Sequence, residues 1–266
     1  MTDLAVIMAV YQNDKLNFVK GSVQSILDQT FTDFHYYLAF DGTVSQDVDD
    51  YIASLKDKRL RLFRLKENRG LANALNHLLK EILKSPEYIF IARMDADDIS
   101  IPDRFKHQRD FLLKNNDISC VGSWYEEIDE YGRQVCLKQL PVEHKQLRER
   151  YMTRAPFAHS SVMYRRRLIE LSGFYPTDTV LMEDNVLWGS ALKHGIRFAN
   201  LPSYLFKFRI DEGFYIRRSG IRYGWNYIQT RLRINKVLNL PLYCYFYTTI
   251  IGLLKMMPPF FLRYFY

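Results

Sequence analysis

Cysteine is scarce in this chain of 266 residues, and the three present, Cys120, Cys136 and Cys244, stand far apart. An odd number without metal-ligand spacing argues against a disulfide scaffold or a zinc site and fits a reducing compartment. Long hydrophobic runs are missing too. The apolar stretch Leu242 to Leu254 has 13 residues, short of the ~20 that cross a bilayer. Leu4 to Val10 is too short for a secretory leader, and Asp3 stands where a positive flank belongs, so a cytoplasmic body is expected. No G-x-G-x-x-G follows the first apolar segment, which weakens a dinucleotide dehydrogenase. The lack of a Walker A sequence weakens a nucleotide hydrolase, and the lack of G-x-S-x-G weakens an acyl hydrolase. Internal repeats and low-complexity linkers are absent as well.

What remains is globular in character. Hydrophobic residues make up 48% and charged residues 25%, enough for one large α/β domain with an appendage. The net charge of +7 is unevenly placed. Lys207 to Arg263 holds ten Lys/Arg against Asp211 and Glu212, while the remainder has 27 basic and 28 acidic residues. The basic character therefore belongs to the C-terminal quarter.

Along the chain, Leu4 to Val10 reads as a buried strand, and Asn13 or Asp14 as the cap of a helix carrying Phe18, Val19, Val23 and Ile26. His35 to Phe40 is a second strand, ended by Asp41-Gly42, and Arg59 to Leu65 alternates as a third. Asn68-Arg-Gly70 leads into a helix with Leu71, Ala74, Leu75, Leu78 and Ile82, followed by a strand from Tyr88 to Met94. That β-α-β-β-α-β order predicts a largely parallel sheet. Later come a helix from Pro102-Asp103, a short strand at Ile118 to Gly122, a turn at Glu130 to Gly132 and a helix over Val186 to Leu192.

The chemistry concentrates where the strand Tyr88 to Met94 runs into Asp95, Asp97 and Asp98. Ligands of α/β sheets bind at the carboxyl ends of strands. Carboxylates crowded there repel each other unless a cation lies between them. Hard divalent cations take such oxygens together with substrate phosphates, which implies a nucleotide-activated substrate. Acidic triplets also occur in turns, where Asp bonds its own backbone.

In order, Val6 to Tyr11, Ser25 to Phe31, Phe40-Asp-Gly42, Asn68-Arg-Gly-Leu71, Ala92 to Asp98, Pro102-Asp-Arg104, His159 to Met163, Glu183-Asp184 and Phe208-Arg209 resemble the family 2 inverting glycosyltransferases. The resemblance covers about residues 4 to 210. It implies a GT-A fold: an α/β architecture with a Rossmann-like, mostly parallel central sheet flanked by helices. A catalytic domain is expected over 1–212, with a nucleotide-binding half of about 1–124 and an acceptor half of about 125–212. A basic, aromatic, helical extension follows over 213–266.

The same resemblance implies roles. Ala9, Tyr11, Asp41, Asn68, Asp95 and Arg209 would bind the nucleotide-sugar donor, Asp41 on its uracil or ribose side and Arg209 at its pyrophosphate. Asp95 and Asp97 match the D-x-D pair that holds Mn2+ or Mg2+, and Asp98 would hold the loop or touch the donor sugar. His159, Glu183 and Trp188 would face the acceptor, and Asp184 would be the general base. From the residues alone, Asp41 is equally a turn residue, His159 a structural histidine, and Glu183-Asp184 a helix cap. Two departures stand out. Phe40 replaces a frequent second acid, and Asp211 occupies the place of a metal-binding His, still an oxygen ligand suited to Mg2+ or Mn2+.

In the tail, Arg217, Arg218, Arg222, Arg231, Arg233 and Lys236 interleave with Tyr223, Trp225 and Tyr227. Beyond Leu254, Lys255 and Pro258-Pro259 interrupt any extension toward Phe265. An interfacial anchor on an anionic membrane is expected, the alternatives being packing on the catalytic domain or on a second subunit. Nucleic acid is not an expected partner, since no such motif is present. The whole reads as a peripheral enzyme on the inner face of the cell membrane, transferring a sugar from a UDP-sugar to a saccharide or lipid-linked saccharide in surface-polysaccharide assembly. The alternatives are a metal-dependent nucleotidyltransferase, for which the Gly-rich basic loop is lacking, and a catalytically silent scaffold on the same fold.

Overall fold

The computed structural model describes residues 2–258 and 260; Pro259 and Phe265 of the tail lie outside them. Strands and helices alternate from the start: β1 (Leu4–Val10), α1 (Leu16–Leu27), β2 (Phe34–Phe40), α2 (Gln46–Ser54), β3 (Leu60–Arg64), α3 (Leu71–Leu83) and β4 (Phe90–Met94). These strands are parallel neighbours in the order β3-β2-β1-β4. Helix α2 departs from the sequence reading, which joined the second and third strands directly. Parallel neighbours need a crossover. Only Val48 and Ile52, one turn apart, anchor this one to the core, too sparse an apolar pattern to read in advance.

The second half is mixed. It comprises β5 (Ile99–Ser100), α4 (Arg104–Lys114), β6 (Ile118–Ile128), β7 (Gln134–Lys138), α5 (His144–Tyr151), β8 (Met163–Arg165), α6 (Arg166–Ser172), α7 (Glu183–Lys193) and β9 (Arg197–Arg209). Strand β8 runs antiparallel between β4 and β6, and β9 is parallel to β6. One sheet therefore joins the halves in the order β3-β2-β1-β4-β8-β6-β9-β5, with β7 paired to β6. The expected turn at Glu130 to Gly132 joins β6 and β7 as a hairpin.

Side chains alternate across the strands and build a core on each face. Ala5, Ile7 and Ala39 meet Leu75, Leu78 and Leu79 of α3 and Leu187 of α7 on one side. Leu4, Val6, Met8 and Leu38 meet Val19 and Val23 of α1, Ile52 of α2 and Phe105 of α4 on the other. All these side chains are buried, each contributing about 1.5–3 kcal/mol for the larger aliphatics.

After β9 come α8 (Glu212–Arg217), α9 (Ile221–Val237) and α10 (Leu242–Lys255). Helix α9 joins the catalytic body: Ile234 enters the α7-side core, and Arg231 donates to the carbonyls of Tyr151 at 2.9 Å and Met152 at 2.7 Å. Helix α10 packs back on α9. Asn235 Nδ2 donates to Cys244 O at 3.2 Å and Thr248 Oγ1 at 3.1 Å. Among the described residues no helix is long and apolar enough to cross a membrane.

Candidate active site

The parallel register brings three strand ends together. Met8 of β1 lies opposite Met94 of β4, and Val10 opposite Phe40 of β2. Tyr11, Asp41 and Asp95 therefore leave the sheet along one edge, and Asp41 N–H donates to Val10 O at 2.8 Å.

Asp41 is buried, and its carboxylate accepts the backbone N–H groups of Arg69 at 2.9 Å and Gly70 at 2.8 Å. It ties β2 to the turn before α3. Gly42, at φ +79°, lies so close that a Cβ would sit 2.5 Å from Asn68 N. The expected donor residues Asp41 and Asn68 thus share one clamped corner, with Asn68 exposed on it.

The acidic turn after β4 rests on buried arginines. Arg93, fully buried, pairs with Asp95, and Arg104 of α4 donates to Arg93 O at 2.9 Å. Burial pulls the Arg104 guanidinium down to about 9. Ser22 of α1 donates to Asp95 O at 2.7 Å. Asp98 is a buried latch: one oxygen accepts Arg209 N–H at 2.8 Å, the other the Ser160 hydroxyl. Of the two roles open to Asp98, holding the loop is the one these bonds perform.

Arg209 lies against the acidic turn. Its guanidinium donates to the carbonyls of Asp97 at 2.8 Å and Asp129 at 2.8 Å, and lies 4.4 Å from the Phe18 ring centroid. Guanidinium N–H groups donate to carbonyl oxygens as well as to phosphate, and here they clamp the acidic turn to the β6–β7 hairpin.

The cap of α1 expected at Asn13 or Asp14 falls one residue later. Lys15 occupies the N-cap of α1, and Asp14 Oδ2 accepts Tyr11 N–H at 2.9 Å, which turns its carboxylate toward the acidic turn. Burial pushes Asp14 up to about 7, and the charges of Asp97 and Asp95 add to this. Asp97 is raised to about 6 by burial and then by Asp95, with a smaller push from Asp211 and relief from Arg217. Burial also raises Tyr11, which feels Asp14 and Asp97. Asp14 and Arg217 thus belong to a site for which neither was singled out. Carboxylates held partly protonated by burial and, after it, by one another suit a hard cation, which would offset that cost.

Asp211 caps α8, accepting Phe214 N–H at 2.8 Å, with Arg217 at 3.4 Å. Among the described residues no three His, Cys, Asp or Glu side chains form a metal cage. A cation on Asp95 and Asp97 would need further ligands from substrate phosphate and water, a coordination that Mg2+ favours.

Helix α7 brings its first turn to the same edge. Glu183 is buried and raised to about 7, first by burial, then by Asp184, with Asp95 across the crevice adding to it. Asp184 is half-buried and accepts from Asn185 Nδ2 at 3.1 Å. His159 shares a 3.4 Å contact with the Tyr175 hydroxyl, and burial, reinforced by Arg93, lowers its pKa. Trp188 is not brought to the crevice. It is fully enclosed in the core, edge-on to Phe157 at 5.3 Å and Phe198 at 6.0 Å.

A separate cavity of about 380 Å3, lined by arginines, lies at the opposite end of β4. Its arginines are committed to carbonyls: Arg166 to Leu83 at 2.8 Å and Ser85 at 2.7 Å, Arg165 to Ile118 at 3.0 Å. They hold helix and strand ends in place.

Comparison with known proteins places this geometry. The family model described as glycosyl transferase family 2 matches residues 5–172. The amylovoran biosynthesis glycosyltransferase of Erwinia amylovora is 28% identical over 234 residues, covering 88% of this chain and 84% of that protein. The UDP-Gal:alpha-D-GlcNAc-diphosphoundecaprenol beta-1,3-galactosyltransferase of Escherichia coli is 30% identical over 229 residues, covering 85% and 81%. Among solved structures, the mannosyltransferase of Pyrobaculum calidifontis in complex with GDP-Man and Mn2+ superposes with a TM-score of 0.63 at 17% identity, covering 94% and 74%. At that identity the likeness establishes the GT-A fold.

Proposed function

We propose, from the premise that this chain belongs to glycosyl transferase family 2, that it is a metal-dependent inverting glycosyltransferase with a UDP-sugar donor. Its acceptor is a saccharide carried on a lipid diphosphate, in the assembly of a surface polysaccharide, and its place of work is the membrane face that displays such acceptors. The donor and acceptor classes follow those named for the galactosyltransferase relative. The observation that carries the reading is the meeting of two carboxylate groups across one crevice: Asp95 at the end of β4 is close enough to raise the pKa of Glu183 on α7.

In this reading the uracil and ribose occupy the corner of Ala9, Tyr11, Asp41 and Asn68, and the diphosphate faces Asp95 and Asp97. When bound, Mn2+ or Mg2+ on Asp95 and Asp97 supplies neutralisation of the diphosphate charge. Arg209 acts by fixing the Asp97 carbonyl rather than by gripping phosphate. Asp184 accepts the proton of the acceptor hydroxyl as that oxygen bonds to the anomeric carbon. The bond from that carbon to the phosphate oxygen breaks, its electron pair leaves with the nucleoside diphosphate, and the anomeric centre inverts. Glu183, neutral for part of the time near pH 7, keeps a second full negative charge away from Asp184. His159 lines the acceptor side beside it. Asp211 acts through α8, which it caps.

Calorimetry with UDP, GDP and their sugar conjugates, with and without Mn2+, tests the donor class. Asp184→Asn is expected to lower transfer by at least ~100-fold, the scale of general-base loss, with UDP affinity unchanged. Loss of UDP affinity in that variant would move Asp184 to the donor site, and no binding of any nucleotide to the parent protein would remove the catalytic reading.

A further inference from the structure

We infer that the outward face of α10 is a preformed docking surface for an anionic lipid bilayer. The inner face of this helix is used up by α9. Cys244, Thr248, Gly252 and Lys255 are buried there, and the helices approach closely enough that a Cβ on Gly224 would lie 2.5 Å from Gly252 O. Lys255 lies 5.5 Å and 5.3 Å from the Tyr223 and Tyr227 ring centroids. With that side fixed, the other side faces outward. Leu242 is 71% exposed, Phe246 65%, Ile250 58% and Leu253 54%. Their spacing of four, four and three residues is one stripe along the whole of α10. Trp225 of α9 is 55% exposed.

Lone exposed apolar side chains are ordinary, but an ordered stripe of four marks an interaction surface. The charge of the segment selects the occupant. From Gly213 to Tyr266 there are eight Lys/Arg and no Asp or Glu, and Arg222 and Lys236 lie exposed on α9. Two copies of such a segment would bring like charges together, whereas an anionic leaflet attracts the basic residues that are exposed, Arg222 and Lys236 among them. The length fits the same occupant. A helix of 14 residues extends about 21 Å, and an apolar stripe along one side fits a helix lying in the interface plane. The aromatic side chains Trp225, Tyr243 and Phe246 have the character that settles at headgroup level. Because α9 reaches into the catalytic core, docking through α10 orients the whole enzyme.

Flotation with full-length protein tests this, using phosphatidylcholine vesicles with and without phosphatidylglycerol. The parent protein is expected to float with the anionic vesicles and to be released by salt. The double variant F246E/I250E is expected to lose about tenfold or more in partitioning, and R222E/K236E several-fold. All four positions are exposed, and circular dichroism with an unchanged thermal midpoint checks that each variant folds. The double variant F246S/I250S gives a second, uncharged version of the same loss. Equal flotation of parent and both apolar variants overturns the proposal. So does conversion of a dimer to a monomer with flotation unchanged, which would make the face a contact between copies. UDP binding, measured on the same samples, reports on the catalytic reading separately, so either idea can fail while the other stands.

Discussion

At the scale of the residue, the site is defined by acids held where water solvates them poorly. Glu183 and Asp14 are each raised to about 7 and Asp97 to about 6, with burial the first cause in all three. The sign of the consequence is fixed. A carboxyl whose folded pKa lies above its ordinary value favours the folded state when protonated. For Glu183 that stability is present in full below its ordinary value of 4.5 and is lost as the pH rises through about 7. The ligand-free protein is therefore expected to lose stability between about pH 4 and pH 7, by roughly 1–3 kcal/mol for each such group. Glu183→Gln removes one titration, so its unfolding free energy is expected to fall less over that range and to exceed the parent's at the upper end. Denaturant titrations at several pH values measure this. Parallel curves for parent and variant would mean that Glu183 is not held in the environment described.

At the scale of the element, legibility tracked how repetitively each segment buries its side chains. The strands β1, β2 and β4 and the helices α1 and α3 were readable because nearly every second, or every third and fourth, residue enters the core. Helix α2 offers two anchors and escaped notice. The strand read at Ile118 to Gly122 continues as β6 to Ile128, because its outer residues Trp124 to Glu127 are only half-buried between β7 and β9. Of the site, the Asp95/Asp97 turn and Glu183-Asp184 were legible as carboxylates in motif context. Asp14, turned by the Tyr11 N–H, and Arg217, brought over the site by α8, depend on tertiary placement that no local pattern encodes. Arg209 has a chemistry compatible with phosphate, but its neighbours, the Asp97 and Asp129 carbonyls, come from two distant turns. Two glycines test the packing of elements directly. A Cβ on Gly252 would meet Ile228 Cγ1 at 2.1 Å, whereas one on Gly21 of α1 meets nothing within 4 Å. Gly252→Ala is expected to destabilise by about 1–3 kcal/mol through overpacking. Gly21→Ala is expected to stabilise by up to ~1 kcal/mol from helix propensity. Thermal melts of the two variants check the pair, and a neutral Gly252→Ala would refute the close α9–α10 crossing.

At the scale of the whole molecule, charge is partitioned between a near-neutral body with an acidic crevice and a tail rich in cations. On the proposed reading the crevice receives a nucleoside diphosphate only weakly without a cation, since Asp14, Asp95 and Asp97 contribute charge of the wrong sign. On the same reading a bare cation is expected to bind weakly too, since only Asp95 and Asp97 are assigned to hold it. Each ligand supplies what the other lacks: the cation cancels the carboxylates, and the phosphates complete its oxygen shell. Binding must then be coupled, and the coupling is reciprocal. With Mn2+ in excess and UDP at about 100 times its dissociation constant under those conditions, UDP is expected to stabilise by about 2.7 kcal/mol, a rise in thermal midpoint on the order of 5–10 °C for a chain of this size. UDP with EDTA, or Mn2+ without UDP, is expected to give a small fraction of that shift. Asp97→Asn removes a charge the cation needs and also a charge that repels phosphate, so it is expected to abolish the synergy while sparing, or slightly strengthening, metal-free UDP binding. Scanning calorimetry over the four combinations of UDP and Mn2+ reads the coupling for parent and variant. Additive shifts in the parent would show that metal and nucleotide do not share the Asp95/Asp97 turn.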